Sequence, residues 1–149
     1  MRRSALRRWR LHRVPYSACM PLQLQIDGRA ITDIDSFYAE MNRVFMAGED
    51  WQLGSSLDAL DDLLYAGYGV LRGHATATVA WRDADLSRVA LGMDATCTWL
   101  QAKLQQPGTF SADMIRRQLD ALERGEGQTY FEIVMEIFAS HPRITLRLE

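Results

Sequence analysis

The sequence predicts an α/β domain: a three-stranded parallel sheet, packed helices and an inserted helical hairpin. Three observations carry that expectation. Three short segments, 22–26, 75–81 and 144–148, have strand character, from period-2 alternation or β-branched content. Between them lie segments with apolar residues at helical spacing, too long to be hairpin turns. Strands joined through helices make right-handed crossovers, and such crossovers build parallel sheets. The chain has 149 residues, 48% of them hydrophobic, enough for one domain with a sizeable core.

The first strand is read from Leu22, Leu24 and Ile26 alternating with Gln23 and Gln25, closed by the turn signal Asp27-Gly28. A helix follows, capped by Asp33 or Asp35, with Phe37, Met41, Val44 and Phe45 on one side and Met46-Ala47-Gly48 at its end. The second strand, at 75–81, ends in Trp81-Arg82, and Asp83 or Asp85 can cap a short turn after it. Met93, Cys97, Leu100 and Leu104 mark a helix broken at Pro107-Gly108. Ser111 caps the next, whose apolar stripe is Met114, Ile115, Leu119 and Leu122, ending at Gly125-Glu126-Gly127. These two helices form the inserted hairpin, within about 94–127, expected to pack on one edge or end of the sheet. The last helix, 130–140, turns Phe131, Val134, Ile137 and Phe138 inward and Glu132 and Glu136 outward. It stops at His141-Pro142, before the final strand, Ile144 to Leu148.

Residues 1–19 differ from the rest. They hold six arginines and no acid, and no apolar run long enough for a secretory signal. They are expected to be a disordered or artefactual extension of a domain at 20–149, with a basic arm that binds nucleic acid or an acidic surface as the other reading. The net charge of −2 conceals this division: the remaining residues carry eleven basic and nineteen acidic groups, a net of −8. An acidic domain repels nucleic-acid backbones and attracts basic proteins. No apolar run reaches the ~20 residues of a membrane span. Cys19 and Cys97 lack disulfide-framework or metal-ligand spacing, so both are expected as free thiols in a reducing compartment.

The stretch from Trp51 to Gly67 stands out. It reads as a loop followed by a short helix, with Leu57, Leu60, Leu63 and Leu64 facing a core and Asp58, Asp61, Asp62 and Tyr65 on the opposite side. Ser55 and Asp58 have capping-box spacing, and Gly67 supplies a C-terminal stop. Asp58 and Asp62 are four apart, and like charges at that spacing destabilise a helix by about 0.2–0.5 kcal/mol. No Lys or Arg lies between Gln52 and Val70 to relieve them. Such a face suits a helix that receives a cationic partner.

The ordered run Trp51, Gly54, Leu57-Asp58-Ala59-Leu60, Asp62 and Gly67-Tyr68 resembles the barstar family, small intracellular inhibitors of secreted ribonucleases of the barnase type. The likeness spans 21–149, with an extra segment in the middle, and includes Trp81-Arg82 after the middle strand and Ile144-Thr145 in the last. It implies a cytoplasmic immunity protein or antitoxin that needs no cofactor or metal and binds a basic ribonuclease or related toxin. In this family the acidic helix and adjoining loop enter the enzyme's RNA-binding groove, with carboxylates in place of RNA phosphates. Carried over by position, the partner-binding residues are Trp51, Gly54, Asp58 and Asp62. Gly54 answers to a loop glycine needed for positive φ or close backbone approach, and Asp58 serves as cap, as contact, or as both.

Two positions depart from the family. Asp61 stands where a tryptophan separates the two aspartates, making the face more acidic, and Tyr65 shares that face. The acid expected on the last helix falls near Ser140, so Glu136, one turn earlier, is its candidate substitute. A barstar-like scaffold for some other basic protein is the second reading. Enzymatic readings find little footing. His12, His74 and His141 lack metal-ligand spacing, and no nucleophile elbow, phosphate-cradling loop or Cys-His pair is visible. Asp58 and Asp62 as an acid–base pair is the third reading, disfavoured because one helix face offers no obvious cleft.

Overall fold

Alternation of apolar and polar side chains produces the first and last strands, and burial follows it there, whereas the middle strand is buried along most of its length. The computed structural model describes residues 20–106, 108 and 111–149. The arginine-rich segment 1–19, expected to be disordered, and the break expected at Pro107 lie outside them. The strands are β1 (Leu22–Asp27), β2 (Ala77–Arg82) and β3 (Ile144–Leu148). They form one parallel sheet in the order β1-β2-β3, with Leu24, Val79 and Leu146 in register. The second strand begins two residues later than expected.

Among the described residues there are six α-helices: α1 (Ile34–Phe45), α2 (Leu57–Leu64), α3 (Ala84–Ala90), α4 (Met93–Leu104), α5 (Ala112–Glu123) and α6 (Tyr130–Ala139). None is long and apolar enough to cross a membrane. The described helices pack mainly on one face of the sheet. Ile26, Val79, Trp81 and Ile144 meet the apolar stripes of α1, α2 and α6. Gln23, Gln25, Thr145 and Arg147, on the opposite face, are exposed. That face is therefore polar, unlike the continuous hydrophobic strands of sheets covered on both sides.

Trp81 is the hub of the core. It is fully buried, stacks on Phe37 at a centroid distance of 6.1 Å, and meets Phe131 and Phe138 edge-on. Its indole N–H donates to Ser87 Oγ at 2.9 Å, which settles the one polar group such a ring brings inside. Ser87 belongs to α3, so the short turn expected after β2 is a seven-residue helix. Asp83 occupies the cap position, but its carboxylate pairs with Arg29 instead of capping. On α1, Asp33 is the cap, in a reciprocal box with Ser36. Glu40 is buried on the same helix, yet it accepts from the Asp27 backbone N–H and pairs with Arg43, so its charge is satisfied.

The hairpin α4–α5 has a small core of its own, Leu100, Ile115 and Leu122. Met93 and Met114, expected on the buried stripes, are exposed instead. The hairpin reaches the main core through α6: Trp99 meets Tyr130 edge-on at 4.9 Å, and Thr96 Oγ1 accepts from the Tyr130 backbone N–H at 2.7 Å. Its principal attachment is thus a helix, not the sheet edge or end expected.

Candidate functional site

The loop before α2 is positioned by one side chain from α1. Asn42 Oδ1 accepts the Leu53 backbone N–H at 2.6 Å, and its amide donates to the Tyr38 and Leu53 carbonyls. Asn is a poor helix-interior residue because its side chain competes for backbone groups, and here that tendency clamps a neighbouring loop. Leu53 is buried beneath the clamp. A second tie joins the loops flanking α2: Glu49 Oε1 accepts the Gly69 backbone N–H at 3.0 Å. Gly69 has φ +71°, and a Cβ there would lie 2.3 Å from the Phe45 carbonyl oxygen. Only glycine suits that position. The two ties bring Trp51 and Tyr68 together, with ring centroids 4.9 Å apart.

Helix α2 has the polarity expected of it. Leu60, Leu63 and Leu64 are buried, Asp58, Asp62 and Tyr65 are exposed, and Asp61 is half-buried. Its ends differ from expectation. Ser56, not Ser55, is the cap, with Oγ accepting from Ala59 N–H at 3.1 Å. Asp58 therefore sits one position before the reciprocal site of a capping box. It still faces the positive end of the helix dipole, where a carboxylate is favourable. At the other end Ala66, not Gly67, adopts the left-handed conformation, with φ 65°.

The three aspartates have three different surroundings. Asp58 lines an open cleft of about 420 Å³ with Trp99 and Lys103 of α4. Burial pulls the Lys103 ammonium below the usual lysine range, and the Asp58 charge acts against that. Asp61 is bound to His141, with Oδ1 2.6 Å from Nε2. His141 is only 6% exposed, and its ring meets the Tyr65 ring edge-on at 4.6 Å. Asp62 has no described Lys, Arg or His within ion-pair distance. It acts on Tyr68, whose hydroxyl is raised by burial first and by the Asp62 charge second.

Trp51 pairs with Tyr68, on whose hydroxyl the Asp62 charge acts, and Asp61 and Tyr65 gather round His141. Gly54 has neither of the internal reasons considered for it. Its φ is not in the left-handed region, and an added Cβ would meet nothing within 4 Å. Glu136 is exposed on α6 and accepts from Gln128 at 2.6 Å, a contact that does not join it to α2.

Sequence reasoning missed Asn42, Tyr68, Lys103 and His141. His141 marks the end of the last helix in the sequence, but its ring turns to Asp61, eighty residues away in the chain. The available signal was the excess of acid on α2 with no local base, which called for a base from elsewhere in the fold. The arrangement offers carboxylates beside aromatic faces, a surface for charge-assisted hydrogen bonds to ammonium or guanidinium groups. Among the described residues no three metal-ligating side chains converge. Compared with models of known protein families and with curated proteins, the chain matches none.

Proposed function

We propose that this protein is a barstar-like, non-covalent inhibitor of a basic ribonuclease, a cytoplasmic immunity protein or antitoxin. Its acidic helix and the loop before it block the enzyme's RNA-binding groove. The carboxylates take the places of phosphates, long-range attraction speeds encounter, and charge pairs desolvated in the complex slow release. Asp62 is the observation that carries this reading. It is an exposed carboxylate without an ion-pair partner among the described residues, and its charge acts on Tyr68, the ring that packs on Trp51. The open space around Gly54 also supports it, since a partner's backbone can approach there.

The test is retention and inhibition of a barnase-type ribonuclease by the full chain. Asp62→Ala is expected to weaken the complex several-fold or more while the circular dichroism spectrum stays unchanged. Unaltered affinity would remove this surface from the proposal. The second reading, a scaffold for a different basic protein, draws on Asp61 and Glu136, both already engaged within the chain. It is favoured if a pull-down with the full chain retains a non-nuclease protein equally well after Asp58, Asp61 and Asp62 are changed to Asn.

A further inference from the structure

The Asp61–His141 pair is divided between the interior and the surface. The His141 side chain is 7% exposed and the Asp61 side chain 42%. Asp61 Oδ1 meets His141 Nε2 at 2.6 Å, while the carboxylate still reaches solvent on the helix that carries Asp58 and Asp62. An ionised carboxylate only accepts, so Nε2 supplies the proton of the bond. A neutral imidazole and an imidazolium can both present that N–H. Uptake of a second proton at Nδ1 therefore leaves the bond in place and changes only the charge. The Tyr65 ring packs edge-on against the imidazole at 4.6 Å. Among the described residues, Asp61 and Tyr65 are the titratable groups in contact with the ring, and both come from α2. Arg143, two residues along the chain, donates instead to the His74 carbonyl at 3.4 Å. Glu136, on the preceding helix, is engaged by Gln128. As a class, histidines change charge between about pH 5 and about pH 8, whereas carboxylates titrate at about 4 and phenols at about 10.

We propose that His141 is a proton switch for the acidic face: once protonated, it offsets the Asp61 charge, and the face holds a cationic partner less tightly. This rests on the acidic face being the binding surface. With His141 neutral, α2 presents Asp58, Asp61 and Asp62 as negative charges. With His141 protonated, Asp61 is half of an ion pair, and Asp58 and Asp62 remain. Affinity for a guanidinium-rich partner is thus full above the titration of His141 and falls as pH falls through it. By linkage the reverse also holds, and a bound cationic partner drives the second proton off His141.

Two measurements on the full chain test this, with an end-blocked nona-arginine peptide as the probe at low ionic strength. The first is peptide affinity as a function of pH. Between about pH 8 and about pH 5.5 it is expected to fall about two- to fivefold, the scale of one exposed ion pair. His141→Gln, which offers an N–H donor and takes up no proton, is expected to flatten the profile, and His74→Gln to leave it as in the parent chain. The second measurement needs no change at His141 and decides alone if His141→Gln does not fold. The chain has three histidines, so histidine-selective labelling gives three imidazole signals by NMR, assigned with His12→Gln and His74→Gln. Peptide added at the midpoint of the His141 titration is expected to move its signal towards the neutral position. Affinity that rises or stays level towards acid, a fall as steep in His141→Gln, or a His141 signal that the peptide leaves in place overturns the proposal. If both measurements succeed while barnase-type ribonucleases are not bound, the switch stands and the inhibitor reading falls. If such a ribonuclease is inhibited and the peptide profile ignores His141, the inhibitor reading stands and the switch falls.

Discussion

His141 Nε2 lies 2.6 Å from Asp61 Oδ1, joining the second residue after α6 to the middle of the acidic helix. The contact does two things. It places a hydrogen-bonding base beside the one aspartate that has acids on both sides, Asp58 a turn before and Asp62 next in the chain. It also fixes the imidazole edge against Tyr65. His141→Ala is expected to destabilise the fold by about 0.5–1.5 kcal/mol, because a part-buried hydrogen bond is lost while the half-exposed Asp61 can turn to water. Urea unfolding measures this. Asp61→Asn keeps an acceptor in place and is expected to cost less. If both substitutions are neutral, the bond is not part of what holds α2.

The end of α2 gives a prediction with the opposite sign. Tyr65 caps the C-terminus of α2, and Ala66 follows in the left-handed conformation, its N–H donating to the Leu63 carbonyl. That conformation costs an L-residue about 1–2 kcal/mol and costs glycine almost nothing. Ala66→Gly is therefore expected to stabilise, by about 0.5–1 kcal/mol after the loss of the methyl's contact with the core. Gly67 has no positive φ and open space where a Cβ would stand. Gly67→Ala is expected to be neutral or slightly stabilising. Thermal unfolding of the two variants checks both signs, and a destabilised Gly67→Ala would contradict this account of the turn.

This turn shows what was legible in the sequence and what was not. The strands and most helices were legible because each buries one side, and burial imposes a period on the side chains: Leu22, Leu24 and Ile26 at one spacing, Leu57, Leu60, Leu63 and Leu64 at the other. The ends of α2 were less so, since two serines compete for one cap and a glycine one place too late draws attention from Ala66. The hairpin's stripes misled at Met93 and Met114 because two helices with a three-residue core cannot bury every apolar position. At the site, the acidic face was visible, but its counter-charges were not. His141, just beyond α6, and Lys103, on α4, arrive through tertiary packing, which leaves no local spacing to read.

The Tyr38–Tyr130 pair predicts an alkaline limit to stability. The two hydroxyls are 2.5 Å apart and the rings are buried where α1 meets α6. Burial pushes the Tyr130 hydroxyl up to about 12. Burial raises Tyr38 too, with the hydrogen bond to Tyr130 next in importance. Unfolded tyrosines lose their protons near pH ~10. Between that pH and the folded pKa the unfolded chain holds fewer protons than the native one, so stability falls as pH rises. The contribution is fully present below about pH 10 and is lost progressively towards pH ~12 and above. Tyr68, which burial and then the Asp62 charge also raise, adds to the loss in the same direction. Thermal midpoints measured from about pH 9 to about pH 12 are expected to fall. The double variant Tyr38→Phe, Tyr130→Phe is expected to lose most of that pH dependence, because it removes both protons and the bond between them while keeping the rings. A fall as steep in the double variant as in the parent chain would assign the alkaline transition to other groups.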